Sequence, residues 1–202
     1  MKVIRPLAVL LILGFSYDLL FGQDSLLLEL NQQRTGLNKK AMWVLGSWAV
    51  GNIVVGGIAS RNTSGTTRYF HEGNALWNTV NLGLAGFGLW QAYTTDPTSL
   101  SAFESFKEQQ SIEKILLFNA ALDLGYMTGG AYLIERSKNT SDRPERLKGW
   151  GRALILQGGF LLLFDATVYY LHHKQGMNKL QPVFENLSLN IDGNGLGVLL
   201  RF

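Results

Sequence analysis

Apolar and polar positions alternate along this chain in long blocks, and four of the apolar blocks are of similar size. They cover residues 42–60, 74–93, 112–134 and 150–171. Each holds at most one formal charge away from its ends, Asp123 in the third and Asp165 in the fourth. About 20 predominantly apolar residues carry a helix across a bilayer, so each block predicts one transmembrane helix. Glycine recurs inside them, as in "VGNIVVGG", "LGLAGFG" and "YMTGGAY". In water these glycines would weaken a helix, but between membrane helices small residues let backbones approach closely. Gly51, Gly56 and Gly57, with Gly83, Gly86 and Gly88, therefore predict a tight hairpin of the first two spans. Aromatics mark the span ends in two belts, Trp43, Trp90, Tyr93, Tyr169 and Tyr170 on one side, Tyr69, Phe70, Tyr132 and Trp150 on the other.

The flanking segments read differently. Residues 1–22 have the layout of a secretory signal peptide: Lys2 and Arg5, an apolar centre at 7–15, and Gly22 before Gln23. Cleavage there leaves the mature start in the periplasm, and four spans return the tail to the same side. Eight basic residues then lie inside against seven outside, most of the inside ones in "RSKNTSDRPERLKGWGR". Residues 99–111 carry a capping box, Ser101 with Glu104, and predict a short surface helix. The tail "LSLNIDGNGLGVLLRF" alternates apolar and polar positions on both sides of Asp-Gly and Asn-Gly, a β-hairpin signal. The predicted fold class is thus all-α integral membrane: a four-helix transmembrane bundle with a short C-terminal β-hairpin tail. Its parts are a signal peptide (1–22), a four-span domain (23–171) and a periplasmic tail (172–202).

One span is too polar for lipid. In "YFHEGNALWNTVNLGLAGFG", residues 69–88, His71, Asn74, Asn78 and Asn81 fall within about 80° of one helix face at ~100° per residue. An unsatisfied amide in hydrocarbon is costly, so that face must point into the bundle. Partners are available on the other spans: Asn52, Asn119, Asp123, Tyr126, Gln157 and Asp165. Counting ~1.5 Å per residue from the cytoplasmic edge puts Asn52, Asn78, Asn81, Asp123, Tyr126 and Gln157 about 9–16 Å deep, and Asn119 and Asp165 about 22 Å deep. Two layers follow, with Asp165 expected to face Asn119 and Asp123 to sit beside Asn78 or Asn81. Interhelical amide bonds are worth only about 0.6 kcal/mol each, so packing is the preferred reading of the amides, with ligand binding kept open. Intramembrane acids are costlier and point to function as readily as to structure.

Composition narrows the classes. Of 202 residues 47% are hydrophobic and 16% charged, with mean hydropathy +0.08. The +3 charge and pI near 9.2 follow from basic residues beside the apolar blocks, which fits membrane orientation and not nucleic acid. With no cysteine, disulfides, thiolate metal sites and a cysteine nucleophile are excluded. His71 opens the second span while His172 and His173 follow the fourth on the opposite side, ~30 Å away, so they form no common metal site. No serine–histidine pair or phosphate loop is present, and His71-Glu72 lacks a second histidine at the zinc-helix spacing. No cofactor is expected, and an intramembrane hydrolase ranks last among the readings because a nucleophile–base pair is missing.

"MWVLGSWAVGNI", "YFHEGNALWNTVNLGLA", "LFNAALDLGYMTGGAYLIERS" and "GWGRALILQGGFLLLFD" together resemble a family of small bacterial multi-spanning proteins classed only as a domain of unknown function. The resemblance covers about residues 34–171. It implies an integral membrane protein with His71, Asn74, Trp77, Asn78, Asn81, Asp123, Tyr126, Gln157 and Asp165 at motif positions, and it implies no activity. Two functions stay open. In the first, an inner-membrane bundle binds a small polar ligand, a cation or a lipid headgroup between its helices, at His71, Asn74, Asn78, Asn81, Asn119, Asp123, Tyr126, Gln157 and Asp165. In the second, a structural membrane protein recruits a periplasmic protein partner through its tail.

Overall fold

The computed structural model describes the backbone at residues 4–185, 187–192 and 195–200, and the side chains of residues 25–178. Four helices follow one another: α1 (Ile4–Asn62), α2 (Gly65–Thr94), α3 (Ala102–Arg136) and α4 (Pro144–Glu185). Each begins or ends where local chemistry requires it. Between α1 and α2 the chain reverses over two residues, with Ser64 extended and Gly65 at φ +57°, a left-handed conformation that glycine adopts without a Cβ clash. After α2, Asp96 accepts hydrogen bonds from the Thr98 amide (2.9 Å) and hydroxyl (2.8 Å), which closes the turn before α3 and holds the Asp96 carboxyl below its usual range. The capping box at the start of α3 forms as expected: Ser101 accepts from the Glu104 amide, and Glu104 accepts from the Ser101 amide at 2.9 Å. Pro144 opens α4, where its missing N–H costs nothing.

Three boundaries differ from expectation. The expected surface helix at 99–111 and third span at 112–134 are one helix, because no glycine or proline separates them and the capping box starts the whole of it. Helix α4 runs on past 171 to Glu185, through the segment expected to be tail. Its added turns pack on α1, where Gln175 Nε2 donates to the Leu30 carbonyl (3.5 Å) and to Gln33 Oε1 (3.3 Å). Backbone α1 reaches back to Ile4, so the expected signal segment is helical from residue 4, while the side chains of residues 1–24 lie outside the described residues.

The fold class is corrected on its β component. Residues 25–178, where side chains are described, form helices and connecting turns with no strand, so the class is all-α, a four-helix bundle. The tail segments Leu187–Asp192 and Gly195–Leu200 run antiparallel as backbone, but their side chains lie outside the described residues.

Glycine sets the helix crossings, though at fewer positions than expected. A Cβ on Gly130 would sit 2.6 Å from the Gly151 carbonyl oxygen, and one on Gly151 would sit 2.6 Å from that of Gly130. Gly158 lies likewise against the Asp123 carbonyl, and Gly56 against that of His71. These contacts lock α3 to α4 and α1 to α2. Gly51, Gly57, Gly83 and Gly86 face open space, so of the expected hairpin glycines Gly56 and Gly88 carry the close approach, Gly88 against the Met42 side chain of α1. The buried apolar residues are mostly small: Ala41, Ala49, Ala85, Ala92 and Ala153. Large ones point outward on every helix, among them Val54, Phe87, Trp90, Phe118, Tyr132 and Leu163. Two helices, within Ser25–Asn62 and Pro144–Asn178, are long and apolar enough to cross a membrane, and only 22% of each apolar window is buried.

Candidate functional site

The asparagine stripe faces inward, as its helical spacing demands. Asn74, Asn78 and Asn81 are all buried. Gln157 of α4 bridges them to α1: its Nε2 donates to Asn74 Oδ1 (3.0 Å) and its Oε1 accepts from Trp48 Nε1 (3.0 Å). Asn78 Nδ2 donates to the Asn74 carbonyl (2.8 Å), and Asn81 Nδ2 to Asn78 Oδ1 (3.3 Å). Trp48 also stacks on Phe160, ring centres 3.9 Å apart. The network is therefore largely closed on itself. Trp48 escaped the sequence reading because a tryptophan in an apolar block is indistinguishable from lipid-facing bulk.

The two aspartates meet each other, contrary to expectation. Asp123 and Asp165 are both buried, and their carboxyl groups lie within hydrogen-bonding reach. Among the described residues no hydrogen bond links Asp165 to Asn119, or Asp123 to Asn78 or Asn81. Counting depth along the axis put them in different layers, because it tracked backbone positions. Asp123 lies level with Gly158, seven residues or about 10.5 Å below Asp165. Every Cα–Cβ bond tilts toward its helix N-terminus, so on antiparallel α3 and α4 these two side chains lean toward each other. An ionised carboxylate only accepts hydrogen bonds, so a bond between this pair requires a proton. Among the described residues one oxygen of the pair, Asp123 Oδ2, is buried without a hydrogen-bond partner. Tyr126, one turn from Asp123, takes Trp77 edge-on at 4.7 Å, and the buried Trp77 Nε1 also lacks a partner among the described residues.

Other expected residues stand apart. Asn52 donates to the Trp48 carbonyl of its own helix (2.9 Å) and makes no cross-helix bond among the described residues. His71 is half-buried against Phe70, and Asn119 is half-buried.

A second polar layer lies beyond the ends of the expected spans, and the sequence reading missed it. Arg34 is buried; its guanidinium donates to the Ser105 carbonyl and to Asn31 Oδ1, both at 2.8 Å. Asn31 Nδ2 donates to the Pro97 carbonyl (3.1 Å). Gln109 Nε2 donates to the His172 carbonyl (2.7 Å) and to Glu113 Oε1 (2.8 Å), and His173 pairs with the other oxygen of Glu113 at 3.1 Å. His172 is fully buried with both ring nitrogens unpartnered among the described residues, as are Ser105 Oγ and Gln109 Oε1. Burial pushes the His172 imidazole down to about 4; Glu113 pulls it back up and Arg34 presses it further down. The only signal in the sequence is an isolated arginine between the expected signal peptide and the first apolar block. The layer assembles only because α1, α3 and α4 all extend past their apolar blocks.

A sequence family whose description records no function matches residues 44–166, somewhat inside the span of the resemblance noted above. No curated protein and no solved structure matches the chain.

Proposed function

Because the chain belongs to that family of unknown function, DUF6992, its activity has to be read from its own residues, and we propose that it is a multi-pass inner-membrane protein holding a small polar or cationic species at Asp123 and Asp165. The observation that carries the membrane part is the inverted distribution of polarity. All four helices turn large apolar side chains outward and bury asparagine, glutamine and aspartate between them. Water-soluble monomers rarely expose contiguous apolar surface on this scale, whereas lipid demands it. In this reading residues 42–60, 74–93, 112–134 and 150–171 cross the bilayer, with the signal segment removed and both ends periplasmic.

Within the bundle the carboxyl pair differs from the amides. Gln157 has a partner at each end of its amide, which suits a role in fixing helix register. The aspartates have no arginine or lysine partner among the described residues. Two carboxyl groups this close hold a proton between them or a cation in its place, and intramembrane acids commonly serve ion or proton pathways. The closed amide network favours the second reading, a structural protein that recruits a periplasmic partner, for that layer alone.

The test is Asp123→Asn and Asp165→Asn in purified detergent-solubilised protein. Both are nearly isosteric, so melting temperatures should stay within about 2 °C of the parent. Calorimetric titration with Na⁺, K⁺ and Ca²⁺ across a pH series should show uptake of a cation, or linked proton release, in the parent and its loss in both variants. If parent and variants behave alike in every titration, the pair is packing and the binding reading fails.

A further inference from the structure

We propose that the groove between the outer ends of α1 and α4 seats the phosphate of an anionic phospholipid. It is a site separate from the aspartate pair, and it rests on the membrane reading above. The groove is open and about 440 Å³ in volume. From α1 it is lined by Gln33, Leu37 and Lys40 and from α4 by Leu171, Lys174 and Gln175. These positions recur at one-turn spacing on each helix, so the two lysines belong to facing stripes.

Charge selects the occupant. Two ammonium groups line the groove and no carboxylate does. Neither Lys40 nor Lys174 makes an ion pair or hydrogen bond among the described residues. The neighbouring Lys39 is different, for it lies over the Tyr93 ring at 4.3 Å and points away from this use. The nearest acid along α1, Glu29, sits one turn beyond the groove and is bonded by Gln33 Nε2 at 2.8 Å. Gln33 in turn accepts from Gln175, so an amide bridge ties the helices together across the groove. Two like charges brought to one cleft without a counter-ion repel each other, and a phosphate anion removes that cost.

Position selects the source of the phosphate. Lys40 stands two residues before the first span and Lys174 three residues after the fourth, which is headgroup depth at the outer face. Leu37 and Leu171 supply apolar walls, and the exposed Trp43, Val44 and Tyr170 continue the apolar surface from there into the bilayer. A diacyl lipid would therefore place phosphate between the ammonium groups and its chains along that surface. A zwitterionic lipid brings its own cation into the same cleft and is disfavoured. Free phosphate gains nothing from the apolar walls and loses its hydration.

The experiment uses the full chain in detergent micelles doped with phosphatidylglycerol, with phosphatidylcholine, or with glycerol 3-phosphate in the buffer. Phosphatidylglycerol should raise the melting temperature by about 3–6 °C. The other two should leave it unchanged. Lys40→Gln with Lys174→Gln should abolish the rise without altering the undoped melting temperature, while Lys39→Gln should keep it. If the double variant proves unstable, Lys40→Arg with Lys174→Arg retains the charge and should retain the rise. An equal rise with phosphatidylcholine, a full rise with glycerol 3-phosphate, or a rise surviving the double glutamine change would each overturn the proposal. Alkaline carbonate washing of cell membranes separates this from the parent reading. Protein released by the wash refutes membrane integration itself, whereas retained protein without lipid preference refutes only the groove.

Discussion

At the residue scale, His172 is where burial and titration meet most directly. It lies just past the fourth apolar block, fully buried, with its pKa pushed down to about 4 from an ordinary 6.5. The unfolded chain takes up a proton as pH falls through 6.5, and the folded imidazole refuses it until about 4. Stability is therefore lost as pH drops across that window and levels off below it. The expected outcome is that His172→Gln flattens this part of the stability curve relative to the parent, read by denaturant melts at pH 7, 6, 5 and 4. Parallel curves for parent and variant would show that the ring is hydrated and titrates freely. Single residues were unevenly legible. The stripe of Asn74, Asn78 and Asn81 was readable because helical periodicity alone fixes which way it faces. The partnership of Asp123 with Asp165 was not, since it depends on side-chain lean between antiparallel helices. Arg34, Ser105 and Gln109 were hidden for another reason: they lie outside the apolar blocks, where no periodicity announces burial.

At the scale of elements, hydropathy located all four helices and misjudged their lengths. Apolar blocks report where a helix exposes an apolar face, and a helix continues past such a block wherever its backbone is unbroken and its side chains find partners. Gln175 finds Leu30 and Gln33, and α4 goes on to Glu185. The glycines sort into two kinds that the sequence does not distinguish. Gly151 has the Gly130 carbonyl and Ile134 within 3 Å of any added Cβ, while Gly83 has nothing within 4 Å. Gly151→Val should therefore force α3 and α4 apart, cost about 3 kcal/mol or more, and empty the folded peak in detergent gel filtration. Gly83→Ala should leave that peak intact and melt no lower than the parent. A normal peak for Gly151→Val would mean that the crossing is looser than its backbone contacts indicate.

For the whole molecule, the apolar exterior makes a prediction that a soluble bundle reverses. Leu163 is 72% exposed near the middle of the fourth apolar block. In water, Leu163→Arg would be a surface change worth within about 0.5 kcal/mol. In a bilayer an arginine at mid-span costs about 2.5–3.5 kcal/mol on the insertion scale. The expected outcome is a marked fall in the fraction of protein recovered in carbonate-washed membranes, with no such fall for Leu163→Phe. Equal recovery of the arginine variant would place that surface in water.

Helices α1 and α4 are each continuous and are joined near one end through Gln175. Each is unbroken between its outer extension and the polar interior. On α4 the same helix carries Gln175 at the α1 joint and Asp165 in the carboxyl pair. An unbroken helix transmits tilt along its length, with no hinge to absorb it. Any force that spreads the outer ends, or a ligand that draws them together, therefore acts as a lever on the separation between Asp165 and Asp123. The fulcrum is where Gly151 and Gly158 press on α3.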